Sequence, residues 1–121
     1  MQILGVSWIG IRTERFEEMM SFFRRLSLNP EIEEPDFAMF KLPDGDQIEL
    51  FGPADKSHSH FSTGPVAGFL VEDLASARAE LEAAGAELIG PVQRGGANVW
   101  QHFRGPDGSV YEINQQPRDD R

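Results

Sequence analysis

The sequence predicts an α+β fold of two βαβββ modules whose curved mixed sheets form an open cleft. The main observation is an internal repeat. The segment FKLPDG at 40–45 precedes Ile48-Glu49-Leu50, and FRGPDG at 103–108 precedes Tyr111-Glu112-Ile113. Each glutamate lies six residues after the proline of its segment. Because a chain made of two copies of one unit buries its core between them, we expect a ligand site at the junction.

The first copy begins with a predicted strand at 3–12, where apolar and other residues alternate. Thr13 is the expected N-cap of a helix from about 15 to 27, because apolar residues follow it at helical spacing. The turn Pro-Asp-Gly then joins two strands, 37–42 and 46–51, in a hairpin.

The second copy begins with a nearly continuous apolar strand at 66–71. Asp73 is the expected N-cap of the following helix, and Gly85 is placed to end it. The remaining predicted strands are 87–89, 99–104 and 110–114. The order βαβββ therefore occurs twice.

The bulk composition limits the class of protein. At 121 residues the chain has the size of one domain, with modules at 3–52 and 65–116 and a linker at 53–64. A net charge of −9 argues against nucleic-acid binding and against docking on anionic membranes. There is no cysteine, and no segment has the features of a signal peptide or a membrane span. We therefore expect a cytoplasmic protein.

The paired Pro-Asp-Gly turns and apolar-Glu-apolar strands resemble those of the vicinal oxygen chelate superfamily. The segments FLVEDL at 69–74 and WQHFRGPDG at 100–108 look typical of its small bacterial members. This superfamily contains glyoxalase I, bleomycin-resistance proteins and extradiol dioxygenases. The resemblance implies the glyoxalase/bleomycin resistance fold, a small-molecule ligand and assembly as a homodimer.

The resemblance also assigns four positions that hold a divalent metal in the metal-using members. They correspond to Trp8, Glu49, Val66 and Glu112 in this sequence. Indole and isopropyl groups do not coordinate divalent ions, so only the two carboxylates can act as ligands. The sequence therefore predicts no metal cofactor. The alternative is a divalent metal held by Glu49, Glu112 and His102.

Hairpin geometry predicts which side chains share a face. A turn centred on Asp107 places His102 opposite Glu112 and Trp100 opposite Asn114, and a similar turn at Asp44 places Met39 opposite Glu49. The face of opposite parity is apolar and is expected to lie under the helices. The candidate site face then carries Trp8, Arg12, Phe37, Met39, Glu49, Trp100, His102, Glu112 and Asn114.

Three of these residues are candidate catalytic groups. Glu49 and Glu112 could act as acid–base groups, since adjacent carboxylates raise one another's pKa, or they could pair with Arg12, Arg104 or water. His102 could form a proton-transfer dyad with Glu112, or it could simply be a hydrogen-bonded strand residue.

The other residues of the face are candidate ligand-binding groups. Trp8 and Trp100 are either stacking surfaces for a ligand or core residues. Arg12 either binds an anionic group or neutralises the two acids. Phe37, Met39 and Asn114 complete this set. The His-Ser-His at 58–60 lacks a third ligand at a matching spacing and is predicted to lie in a flexible loop.

These features lead to three functional hypotheses. The first is metal-independent binding of a small molecule, as in bleomycin-resistance proteins. The second is a metal-dependent enzyme, either a glyoxalase-like lyase or isomerase or a dioxygenase, using Glu49, Glu112 and His102. The third is an interaction module without a ligand.

Overall fold

The computed structural model describes residues 1–117, in which eight strands and two helices follow the order βαβββ twice. The predicted α+β fold class is therefore confirmed. The chain divides into two compact units. The N-terminal unit is Ser7–Val66, and the C-terminal unit combines Met1–Val6 with the described residues from Ala67 onward. Neither helix within residues 1–117 has the length and apolar character needed to cross a membrane. The open cleft stays a prediction.

The N-terminal unit has one helix and a four-stranded mixed sheet. The strand order is β2-β3-β4-β1, in which β1 runs parallel to β4 and the other pairs are antiparallel. Its elements are β1 (Ile3–Arg12), whose first four residues belong to the C-terminal unit, α1 (Phe16–Arg25), β2 (Ile32–Glu34), β3 (Phe37–Lys41) and β4 (Gln47–Phe51).

Helix α1 packs on one face of this sheet. Its buried residues are Phe16, Met20 and Phe23, at the i, i+4, i+7 spacing that places side chains on one side of a helix. They form a core with Ala38, Phe40 and Leu50 of the strands. The sheet therefore has a helix-covered apolar face and an opposite face that can carry polar groups.

Two predictions about α1 are wrong. Arg15 is the N-cap and makes no side-chain cap hydrogen bond, whereas the Thr13 hydroxyl accepts from the Arg15 backbone N–H at 3.0 Å. Thr13 therefore shapes the turn before the helix rather than capping it. The predicted span of 15–27 also extends too far, because α1 ends at Arg25 and Leu26, which follows it, is 56% exposed.

The C-terminal unit repeats the arrangement. The strand order is β5-β8-β7-β6, with β5 parallel to β8 and the other pairs antiparallel. Its elements are β5 (Val66–Val71), whose first residue belongs to the N-terminal unit, α2 (Leu74–Ala83), β6 (Glu87–Gly95), β7 (Asn98–Arg104) and β8 (Val110–Gln115).

Both predicted ends of α2 are confirmed. Asp73 is the N-cap, and its side chain accepts a hydrogen bond from the Ser76 N–H at 3.3 Å. After Ala84, Gly85 has φ 97°, the left-handed conformation that glycine adopts without steric cost. The helix buries Leu74 and Ala77 against strand residues that include Phe103 and Ile113.

Strand β6 continues past the predicted end at residue 89, and it does so through an irregularity in its pairing with β7. The pairing with β7 shifts register between Ile89 and Gln93, and Gly90 within this stretch has φ 67°. The Gln101 side chain donates to the carbonyl oxygens of Ile89 and Gly90 at 2.9 and 3.0 Å. These bonds satisfy backbone groups that the bulge removes from the ladder, so the strand continues beyond Pro91.

The predicted hairpin registers are confirmed. His102 pairs with Glu112, Trp100 with Asn114, and Met39 with Glu49. Ile11, Ile48 and Leu50 pack with α1, and Phe69, Val71, Tyr111 and Ile113 pack with α2. Ile9 is the exception to the predicted parity, since it is 37% exposed.

The polar segment 53–64 packs on the sheet of the N-terminal unit. Phe61 is 3% exposed and meets Phe51 edge to face at 6.0 Å between ring centroids. The His58 ring stacks on Phe51 at 3.8 Å, and its Nδ1 lies 3.1 Å from a carboxylate oxygen of Asp55. The expected flexible loop is thus attached to the strands by buried aromatic contacts.

Candidate functional site

On the N-terminal unit, Trp8 and Glu49 are joined across the parallel strands β1 and β4. The Trp8 Nε1–H donates to Glu49 Oε1 at 2.8 Å. Trp8 is 7% exposed and Glu49 is half-buried. This contact fixes the orientation of both side chains.

Gly10 permits this position of the indole. A Cβ at Gly10 would lie 2.0, 2.5 and 2.8 Å from three ring carbons of Trp8, because the ring lies directly over residue 10. The ring also meets Phe61 edge to face, with 6.0 Å between centroids. Trp8 is therefore held between its own strand and the segment 53–64, with its N–H aimed at the carboxylate.

The other predicted ligand-binding residues of this unit lie on the same sheet face. Phe51 on β4 is the register partner of both Arg12 on β1 and Phe37 on β3. The centroids of the Phe37 and Phe51 rings are 5.7 Å apart. Met39 is 9% exposed. Arg12 forms an ion pair with Glu14 at 3.4 Å.

On the C-terminal unit, three of the predicted residues form a buried chain of hydrogen bonds. His102 Nε2 lies 3.2 Å from Glu112 Oε1, and Asn114 Nδ2 donates to Glu112 Oε2 at 3.2 Å. Gln116 extends the chain by donating to Asn114 Oδ1 at 3.3 Å. His102, Glu112 and Asn114 are each about 95% buried. Alternation along β7 and β8 places them on the face opposite α2.

Burial makes this pair electrically neutral. Desolvation raises the pKa of Glu112 to about 8, although the Asn114 hydrogen bond acts in the opposite direction. Desolvation also lowers the pKa of His102 to about 4. At neutral pH Glu112 therefore carries a proton. Since Oε2 accepts from Asn114, this proton belongs on Oε1, where it faces His102 Nε2.

Trp100 is half-buried and is the register partner of Asn114, so it lies beside the hydrogen-bonded residues His102, Glu112 and Asn114. A Cβ at Gly95 on β6 would be 3.0 Å from the Trp100 ring, so the indole covers that glycine. Arg104, an alternative partner for the acids, instead contacts Glu87 at 3.6 Å and donates to the Gly108 carbonyl oxygen at 2.9 Å.

Some residues with structural roles in the two units were not predicted from the sequence. Gln101 lies in β7 and Gln116 directly follows β8; glutamine is common at such positions, so neither gave a signal in the sequence. Phe61 offered a weak one, since a large aromatic residue in a polar segment needs a buried partner. The Asp55–His58 contact was also missed, although acid and histidine are three residues apart within the same segment.

The donor set does not fit the divalent metal of the metal-using members. The first-strand positions hold an indole N–H donor and a fully buried valine, Val66, neither of which is a ligand. Glu49 accepts the Trp8 N–H with one oxygen, and burial favours the protonated form of Glu112, whereas a ligand must be deprotonated. No three His, Asp or Glu side chains among residues 1–117 are grouped so that they could hold an ion.

Comparison with known proteins identifies related chains. Residues 5–113 match the family model described as the Glyoxalase/Bleomycin resistance protein/Dioxygenase superfamily. No curated protein matches the chain.

Several solved structures share the fold at low sequence identity. The methylmalonyl-CoA epimerase of Mycobacterium tuberculosis is 21% identical, with a TM-score of 0.69 over 96% of this chain and 90% of that one. A variant of the Streptomyces coelicolor epimerase, in complex with 2-nitronate-propionyl-CoA, is 16% identical, with a TM-score of 0.70 over 97% and 100%. A superfamily member from Vibrio splendidus is 19% identical, with a TM-score of 0.67 over 89% and 96%.

The family match spans both copies of the repeat and includes the two apolar-Glu-apolar strands that first indicated the resemblance. The chain belongs to the glyoxalase/bleomycin resistance protein/dioxygenase superfamily.

Proposed function

We propose that the protein binds a small organic molecule without a metal ion, on the sheet faces opposite its two helices. The hydrogen bond from Trp8 to Glu49 carries this proposal. It places a donor where a metal-using relative has a ligand, and so it gives the Glu49 carboxylate a partner other than a cation. Bleomycin-resistance members supply the analogy for binding without catalysis.

The composition of these faces supports binding. Trp8, Phe37 and Met39 supply apolar surface in the N-terminal unit, while the His102–Glu112–Asn114 chain supplies fixed donors and acceptors in the C-terminal unit. Ligand sites combine largely apolar walls with a few oriented polar groups in this way. Assembly as a homodimer is part of the proposal and comes from the resemblance.

Metal content tests the first half of the proposal. Protein purified without a chelator should contain no stoichiometric transition metal, and titration with nickel, zinc, iron or manganese should not stabilise it. Elemental analysis and thermal unfolding measure both effects. A stoichiometric ion that is lost on Glu112→Ala would contradict metal independence.

Tryptophan fluorescence tests the second half, because Trp8 and Trp100 are the two tryptophans of the chain. A panel of small aromatic compounds should include one that quenches the emission in a saturable manner. The signal should change in Trp100→Phe, whereas Phe22→Ala, an exposed position on α1, serves as the control. A panel without any saturable quenching would favour an interaction module instead.

A second candidate is acid–base catalysis, and the contact between His102 and Glu112 favours it. A neutral imidazole can accept the α-proton of a carbon acid while the protonated carboxyl group donates its proton to the developing enolate oxygen, and the reverse transfers restore both groups. If so, the enzyme should exchange the α-proton of a carbon acid such as methylmalonyl-CoA in deuterated water, and Glu112→Gln should abolish the exchange. NMR of the α-proton measures this, and equal rates with and without protein would exclude this substrate.

A further inference from the structure

Two cationic side chains of the N-terminal unit converge on one backbone oxygen. Arg12 Nη2 contacts the Pro53 carbonyl oxygen at 3.4 Å, and Lys56 Nζ contacts the same atom at 3.2 Å. Because both nitrogen atoms touch one oxygen, they lie close enough for a single anionic group to contact both. A neutral carbonyl oxygen does not compensate two positive charges.

The surrounding protein leaves much of this charge without a counter-ion. Among residues 1–117, Arg12 forms an ion pair only with Glu14, at 3.4 Å, and the Glu14 side chain is 73% exposed, so water screens that pair. Within residues 1–117, Lys56 has no ion pair, and the nearby Asp55 contacts His58 instead.

The Arg12 side chain is only 18% exposed, and its buried Nε–H has no hydrogen-bond partner among the described residues. An unpaired buried donor destabilises the fold. Arg12 therefore occupies a position that packing alone does not explain. The guanidinium group matches the two oxygens of a carboxylate or phosphate, and a lysine adds a point charge to such a site.

From these contacts we infer that Arg12 and Lys56 form a binding site for the anionic group of a small molecule, either a carboxylate or a phosphate. The half-buried Phe37 lies in the same row of the sheet as Arg12 and offers apolar surface for the rest of that molecule. The anion site is inferred from the contacts of Arg12 and Lys56 and does not depend on the proposed function. The assignment of an organic ligand to it rests on the proposed function.

The anion site is tested by NMR titration with inorganic phosphate and with acetate at constant ionic strength. At least one of them should shift the backbone N–H signals around Arg12 and Lys56 in a saturable manner, and in the wild type the Arg12 Nε–Hε signal as well. Lys56→Gln and Arg12→Gln should each weaken that binding by ~10-fold, the loss of about one charged hydrogen bond. Arg25→Gln, an exposed cation on α1 without a partner within residues 1–117, should bind like the wild type. If Arg12→Gln does not fold, Lys56→Gln alone tests the anion site. Lys56 is exposed, so its substitution should not disturb the fold.

The organic part is tested with hydrocinnamate and its neutral amide, hydrocinnamide. Hydrocinnamate should bind the wild type more tightly than the amide, and Lys56→Gln should reduce this preference by ~10-fold, with Arg12 responsible for what remains. The anion site would be overturned if neither phosphate nor acetate gave a saturable shift. It would also be overturned if Arg25→Gln and Lys56→Gln lost the same amount of affinity for these anions. Phosphate or acetate binding without binding of either aromatic compound would leave the anion site intact and count against the proposed function.

Discussion

Replacing Glu112 with glutamine is expected to remove a loss of stability that the wild-type protein undergoes between pH 6.5 and pH 8. Burial raises the pKa of Glu112 from 4.5 to about 8, so the folded protein keeps a proton that the unfolded chain releases above pH 4.5. In this range the unfolded state binds fewer protons, and the free energy of unfolding must fall as the pH rises.

His102 confines this effect to the upper part of the range. Its pKa falls from 6.5 in the unfolded chain to about 4 in the fold, so its contribution rises with pH up to 6.5 and opposes that of Glu112. Of these two residues, only Glu112 still makes the free energy of unfolding depend on pH above pH 6.5. From there to pH 8 the wild type should lose about 2 kcal/mol relative to Glu112→Gln.

Urea unfolding followed by circular dichroism at pH 6.5 and pH 8 measures this difference. Glutamine mimics the protonated acid, because its amide can donate toward His102 and its oxygen can accept from Asn114. Glu82→Gln, an exposed position on α2, controls for the removal of one negative charge from an acidic protein. If the wild type and Glu112→Gln change equally with pH, Glu112 is ionised in the fold and the neutral pair is wrong.

Substituting Gly10 with alanine should lower the free energy of unfolding by about 2–3 kcal/mol, the cost of overpacking a well-filled site. The added methyl group would collide with three ring carbons of Trp8, at distances as short as 2.0 Å. The indole must then move, and its hydrogen bond to Glu49 breaks. Chemical denaturation gives the stability change, and the tryptophan emission spectrum should shift.

The same strand and the same indole provide the controls. A Cβ at Gly5 meets nothing within 4 Å, so Gly5→Ala should have little effect. In a Trp8→Ala background the Gly10→Ala substitution has no ring to displace, and its cost should nearly vanish. A full cost in that background would show that the backbone at residue 10, rather than the indole, sets the requirement for glycine.

Local patterns in the sequence were sufficient for much of the fold. The Pro-Asp-Gly turns set the register of both hairpins, because a short turn of known centre leaves one pairing in which apolar residues face the helix. The caps at Asp73 and Gly85 were predictable for the same reason, since a cap is a contact between residues close in the chain. Where long-range packing decides, as at Leu26 and in the extended strand β6, local periodicity was wrong.

The sequence by itself determined that Glu112 stands opposite His102 and that residue 8, a position to which the resemblance assigns a metal ligand, is a tryptophan. Only the tertiary structure decided what those residues do there. The Trp8 N–H reaches Glu49 because β1 and β4 are parallel neighbours, although the residues are 41 positions apart. Glu112 holds its proton because folding removes it from water, and desolvation depends on the whole of the surrounding chain rather than on adjacent residues.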